Sequence, residues 1–354
     1  MNIRLADKTD APRWNAFVEH HQQATPYHLW AWREAIEAAY SHQGYYLIAE
    51  ENGVVNGVLP LVHMRFSMLV NQLVSLPYCD IGGCLANSAE TENLLLREAM
   101  RVGMGLGVKK IELRTNSLHD HDVIKQEAPQ ASESHDKVRM LLDLPGRSEL
   151  LWDSFKSKLR SQINRSMKNG LLFTWGSHDT VDEFYGVFSA NMRDLGSPVH
   201  AKAWIKAIMG QYSDAARMGL IHKDGVPVGC GIILMVGKQV CIPWASTLRE
   251  YNNLSPNMLL YWSFLKFASD SNHDRFDFGR STPGEGTYKF KAQWGAEPQT
   301  LYWHAATLGN QPQARDANQR LASGNRERLA SPWSRLPLWV ANAVGPSLRR
   351  NISL

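Results

Sequence analysis

Residues 26–41 recur 172 positions further along the chain. Laying PYHLWAWREAIEAAYS over PVHAKAWIKAIMGQYS pairs Pro26 with Pro198, His28 with His200, Ala31 with Ala203, Trp32 with Trp204, Ala35 with Ala207, Ile36 with Ile208, Tyr40 with Tyr212 and Ser41 with Ser213. That is eight identities in sixteen positions, where ordinary residue frequencies supply about one. The same offset sets Gly53-Val54 on Gly225-Val226 and Gly57 on Gly229. The chain is a duplication, and any fold assigned to one half must serve the other.

At 354 residues there is enough chain for two such units, each able to bury a core. With 44% hydrophobic and 20% charged residues, extended disorder is excluded. Cys79, Cys84, Cys230 and Cys241 stand in apolar strand-like surroundings without metal-ligand spacing, as buried thiols in a reducing compartment do. The N-terminus MNIRLADKTDAPRW is charged where a signal peptide needs an apolar run, and no stretch of about 18 apolar residues is present. The expected location is cytoplasmic. The net charge of +4 is uneven: residues 310–354 carry seven Arg against Asp316 and Glu327, so the rest of the chain stands at −1.

Periodicity and turn signals give one order of elements twice. A short strand (Asn2 to Leu5; Leu171 to Trp175) precedes two helices, the second bearing the matched His and Trp. A hairpin follows, turning at Asn52-Gly53 and at Asp224-Gly225. A third strand (LVSLPY; QVCIPWAS) leads to a long helix, Glu90 to Gly105 and Pro256 to Ser269, the latter with Ser255 as N-cap. Strands 109–115 and 275–281 come next, and 137–144 and 299–305 close each half. The expected class is α/β, with one mixed, mostly antiparallel sheet and flanking helices per half. The expected divisions are a first module over 1–150, a basic connector over 151–170, a second module over 171–308 and an Arg-rich tail over 309–354. In the connector, Trp152, Phe155, Leu159, Ile163 and Met167 form a helical stripe, leaving Lys156, Lys158, Arg160, Arg165 and Lys168 off it.

This order of elements resembles the GNAT acyltransferase fold, and two copies in tandem resemble the Fem-type aminoacyltransferases. FDFGRSTPGEGTYKFKAQWGAEP (276–298) is similar to the C-terminal signature of FemAB-like proteins encoded beside exosortase and exopolysaccharide loci. LPYCDIGG (76–83), KLRSQINRSMKNG (158–170) and RDLGSP (193–198) are further points of likeness. The resemblance implies attack of an amine on an activated acyl carbon. It implies aminoacyl-tRNA or acyl-CoA as co-substrate, an amine of a peptidoglycan- or exopolysaccharide-related envelope precursor as acceptor, and no bound cofactor. Two departures stand out: the long coiled-coil arm of cell-wall Fem enzymes is missing, and STLREYNNLSPN (246–257) lacks the glycines with which GNAT enzymes approach the pyrophosphate of CoA.

Alternation along RFDFGRS sets Phe276 and Phe278 on one face and Asp277 on the other, making Asp277 either a buried structural carboxylate or a general base. The short helix GTYKFKAQWG presents Thr287, Tyr288, Lys289 and Lys291, either as solvated surface or as a site that holds phosphate and steadies an oxyanion, with Lys289 as the second catalytic candidate. Lys158, Arg160, Arg165, Arg193, Trp244 and Arg280 complete the expected substrate-binding set, the connector lying against the seam between modules. His28 and His200, retained in both copies, are expected to serve folding. The run His119-Asp120-His121-Asp122 lacks the support that metal ligands need, so no metal is expected. LPLWVANAVG with its flanking arginines suits either the inner-membrane surface or docking on the protein. The body of the chain is too nearly neutral for stable DNA binding, and tRNA enters only through the family resemblance. Catalysis is expected in the second copy and at the seam. A catalytically silent binding module of an exopolysaccharide system is the reading from outside enzymology.

Overall fold

The computed structural model describes residues 1–66, 70–115, 124, 131–308 and 332–354. Its strands are, in chain order, β1 (Asn2–Leu5), β2 (Gln43–Gly44), β3 (Leu47–Glu51), β4 (Val54–Leu59), β5 (Val62–Phe66), β6 (Val70–Val74), β7 (Leu85–Ala86), β8 (Lys110–Thr115), β9 (Ser132–Ser134), β10 (Val138–Asp143), β11 (Leu171–Gly176), β12 (Ala216–Lys223), β13 (Val226–Val236), β14 (Gln239–Thr247), β15 (Arg275–Ser281), β16 (Glu297–Thr300) and β17 (Tyr302–Thr307). The helices are α1 (Ala11–His20), α2 (Trp30–Tyr40), α3 (Ala89–Gly105), α4 (Ser148–Ser154), α5 (Ser157–Lys168), α6 (Val181–Asp194), α7 (Lys202–Tyr212), α8 (Pro256–Asp270), α9 (Gly286–Ala292) and α10 (Leu338–Arg349).

Both hairpins form at the expected dipeptides. Asn52 and Gly53 have φ of 51° and 80°, and Asp224 and Gly225 have 52° and 80°, the pair of positive values that a two-residue turn needs to match strand twist. The expectation of one sheet per half holds for the second half, whose strands run β11-β12-β13-β14-β15-β10-β16. In the first half the sheet is divided into β1-β3-β4-β7 and β2-β5-β6-β8-β17-β9. Pro60 marks the division. It stands between β4 and β5 where β13 runs unbroken through eleven residues, and proline lacks the N–H a ladder requires.

The closing strands are exchanged. β10, from the end of the first half, lies between β15 and β16 in the second sheet, while β17, from the end of the second half, pairs with β8 and β9. The halves are therefore interlocked.

The duplicated segments pack against each other. Trp32 and Trp204 meet edge to face with ring centroids 5.0 Å apart, and Trp244 stacks on Trp32 at 6.3 Å. Tyr40 bonds His200 Nδ1 through its hydroxyl at 2.7 Å, and the Tyr212 hydroxyl donates to the Pro26 carbonyl at 2.7 Å. Helices α2 and α7 thus build a shared core at the seam. A second core fills the opposite face of the second sheet beneath α5 and α8.

The expected connector helix is two helices. Phe155 leaves helical geometry between α4 and α5 and buries its ring 5.8 Å from Trp262 and 5.6 Å from Trp294. Leu159 and Ile163 are buried as the stripe requires. In the tail, α10 docks through Ala341 and Gly345, leaving Trp339, Val344 and Leu348 exposed. Among the described residues no helix is long and apolar enough to cross a membrane.

Candidate active site at the splayed strands

β14 and β15 run parallel, but their pairing stops early. Three rungs form: Gln239 opposite Arg275, Val240 opposite Phe276 and Cys241 opposite Asp277. Beyond them β14 continues to Thr247 and β15 to Ser281 without pairing to each other, so a gap opens at Asp277.

Phe276 and Phe278 pack into the core under α8, so alternation turns Asp277 the other way, toward Tyr27 and Cys241 at the seam. Its Oδ1 accepts the Gly279 N–H at 2.7 Å, and Arg139 Nη1, carried in by the exchanged β10, lies 3.5 Å from Oδ2. Burial pushes the Asp277 carboxyl above the usual carboxylate range, and Arg139 and the Gly279 N–H offset that only in part.

Gly279 adopts a φ of 74°, which redirects the strand. The Arg280 N–H then donates to Asp80 Oδ2 at 3.1 Å, and Arg280 Nε lies 3.4 Å from Oδ1. Asp80 comes from the loop after β6 in the first module, and Trp303 Nε1 holds that loop by donating to the Asp80 carbonyl at 3.0 Å. Lys291 reaches back from α9 to the carbonyls of Gly279 at 3.0 Å and Arg280 at 2.7 Å. Burial lowers its pKa to about 8, although Asp80 and Asp277 pull it upward. Two carboxylates, a buried lysine and two arginines thus converge on the gap.

The structure sorts the residues expected from sequence. Asp277, Arg280 and Lys291 are brought together. Lys289 and Thr287 are exposed on α9, and Tyr288 is half-buried against the core under α8. Trp244 is buried in the seam's aromatic cluster. Arg193 is paired with its neighbour Asp194 at 2.6 Å. The connector does not lie against the seam: α5 packs on the opposite face of the second sheet, with Lys158 and Arg165 exposed and Arg160 3.9 Å from Asp153. Its apolar stripe carries it there, because the core under α8 is where Leu159 and Ile163 are buried. Ser255 precedes α8 as expected but makes no side-chain cap bond and has a φ of 60°. His28 and His200 are buried, and burial lowers His28 to about 4 and His200 well below its ordinary value, so both are neutral at pH 7. The run 119–122 lies outside the described residues, among which no group of three or more potential metal ligands occurs.

Sequence reasoning does not reach Asp80, Arg139 and Trp303. Arg139 has one signal, a charge inside the apolar strand VRMLLD; Asp80 and Trp303 have none beyond their segments.

Residues 153–292 match the acetyltransferase (GNAT) domain family. FemX superposes with a TM-score of 0.69 at 13% identity, covering 86% of this chain and 97% of that one. L-PGS from Bacillus licheniformis gives 0.59 at 12% identity over 90% and 96%, and a tandem GNAT protein from the clavulanic acid biosynthesis pathway gives 0.56 at 12% over 88% and 99%. No curated protein matches the sequence. The fold is a tandem GNAT-like one with an architecture like that of FemX, and the match to the acetyltransferase (GNAT) family lies within its second half.

Proposed function

We propose that the protein transfers an acyl or aminoacyl group to an amine of a cell-envelope precursor, peptidoglycan- or exopolysaccharide-related, with the reaction in the gap between β14 and β15. The observation that carries this reading is Asp277, a buried carboxyl of raised pKa at the point where the strands part, close to a lysine of lowered pKa. The acceptor nitrogen attacks the acyl carbon. A C–N bond forms, the bond to the donor's ester oxygen or thioester sulfur breaks, and the amine proton passes to Asp277. The Lys291 ammonium, held on the Gly279 and Arg280 carbonyls, supplies positive charge against the charge that develops on the carbonyl oxygen. Between Thr247 and α8 the chain folds as a short 3-10 helix over Arg249–Leu254, without glycine, which counts against acyl-CoA as donor.

The exposed apolar residues of α10, with Arg335 and Arg350 nearby, support peripheral contact with the inner membrane from the cytoplasmic side. Incubating the purified protein separately with charged tRNA and with acyl-CoAs, each beside a panel of amines, and reading products by mass spectrometry tests the function. Turnover with one donor class that Asp277→Asn removes is the expected result. Turnover with neither would leave the silent binding module.

A further inference from the structure

Residues 349–354 return to the seam. Helix α10 is anchored where Gly345 meets Val199: a Cβ at Gly345 would lie 3.1 Å from the Val199 backbone nitrogen. From there the chain runs to the loop that supplies Asp80. The Tyr78 hydroxyl donates to the Arg350 carbonyl at 2.6 Å, and His42 Nε2 lies 2.9 Å from the same oxygen. The Tyr78 N–H donates to the Ser353 carbonyl at 2.6 Å, and Arg114 Nη1 reaches that carbonyl at 3.1 Å. Arg350 in turn donates to the Tyr40 carbonyl at 3.0 Å, and Arg349 lies over the Tyr78 ring at 5.6 Å. Ser353 is 1% exposed, so the segment is seated in the protein rather than laid on its surface.

This segment adjoins the candidate site. Arg114, which holds the Ser353 carbonyl, lies 4.9 Å from the Trp303 ring, and Arg280 lies 5.2 Å from the same ring. Trp303 also holds the Asp80 carbonyl. The segment is therefore linked through Arg114 and Trp303 to the Asp80–Arg280 pair.

We infer that residues 349–354 form an autoinhibitory strap, seated against the Tyr78–Asp80 loop and displaced when substrate enters. The inference rests on the seam being the place of transfer. Most of the contacts are made to the strap's carbonyls, so it is held by its backbone and released as a unit. Apart from Ser353 its side chains are partly or fully exposed, so hydrogen bonds rather than an apolar anchor hold it, and tethering keeps it at a high effective concentration against its own groove.

The test uses the full chain, a chain ending at Pro346 and a fluorescein-labelled peptide of residues 347–354. The peptide is expected to bind the shortened chain at least tenfold more tightly than the full chain, where the tethered copy competes. Equal binding to both, or no binding to a shortened chain that circular dichroism shows folded, would overturn the strap. With the donor and amine panel, the shortened chain should turn over severalfold faster and the added peptide should suppress the gain; unchanged or slower turnover overturns autoinhibition. If neither chain turns over, the proposed function fails while peptide competition still decides whether the strap exists. Should the shortened chain not fold, Gly345→Leu in the full chain replaces it. Release of Leu354 and Ser353 by carboxypeptidase Y should then be at least tenfold faster than from the unsubstituted chain, and an unchanged rate overturns the proposal.

Discussion

Glu112 and Asp277 hold the same place in the two modules. Each faces the last residue of a short parallel pairing, Val74 for Glu112 and Cys241 for Asp277. Their surroundings differ. Glu112 is gripped by Arg114, with Nε at 2.9 Å, and by Lys110 at 3.1 Å; burial raises its pKa but these cations outweigh burial and hold it at about 2. Asp277 has Arg139 at 3.5 Å and stays above the usual range. One copy has neutralised its acid and the other has kept it poised.

Substitution should separate the two roles. Asp277→Asn keeps an oxygen for the Gly279 N–H but takes from buried Arg139 its carboxylate, so some stability is lost as well, and turnover falls by about 10²- to 10⁴-fold. Glu112→Gln strips Arg114 of its carboxylate in a fully buried setting and should destabilise by about 3–5 kcal/mol. Because the folded pKa of Glu112 lies below its ordinary value, its stabilisation is present above about pH 4.5 and lost as pH falls toward 2. Thermal melts and single-turnover rates on both variants check this.

The pH profile of kcat/KM should be bell-shaped. Asp277 accepts a proton only when ionised, so the rising limb follows its raised pKa. Lys291 loses its charge above about 8, which sets the falling limb. Lys291→Arg should move that limb to higher pH, and a limb that stays put would remove Lys291 from the mechanism.

The two lysines of α9 should behave differently. Lys291→Met removes the bonds to the Gly279 and Arg280 carbonyls and should lower turnover more than tenfold, whereas exposed Lys289→Ala should change it less than about twofold. Steady-state kinetics on both variants decide the assignment.

The seam should be sensitive to small losses. Tyr40→Phe leaves His200 Nδ1 and the Ala201 N–H without their partner in a buried setting, a cost of about 1–3 kcal/mol. Trp204→Ala opens a cavity beside Trp32 and should cost about 3–5 kcal/mol. Urea titration measures both.

The strand exchange predicts how fragments of the chain behave. Residues 151–300 alone lack β10 and expose the edges of β15 and β16, whereas residues 136–300 restore that ladder; both bare the seam core around Trp204 and Trp244, so both should aggregate, the shorter fragment faster. Soluble yield and size-exclusion profiles report the outcome.

Much of the fold is legible in the sequence because local rules decide it. The repeat sets two like modules, Asn52-Gly53 and Asp224-Gly225 set the hairpins, and alternation sets the face of Asp277. Leu159 and Ile163 are buried as their spacing predicts, but the stripe breaks at Phe155 and Met167 is exposed, and its position does not follow either, since a stripe says that a face is buried and not which core receives it. Asp80 and Arg139 come to Asp277 from two distant segments, and no spacing along the chain encodes such a meeting.

The sequence by itself determined the duplication, the α/β class and the acid on the face of β15 opposite its two phenylalanines. The tertiary structure decided which sheet received each closing strand. The two receiving edges descend from one repeated pattern, so local chemistry cannot tell them apart. It also decided which acid stayed poised, because the pKa of a buried carboxylate is set by the cations that folding brings to it.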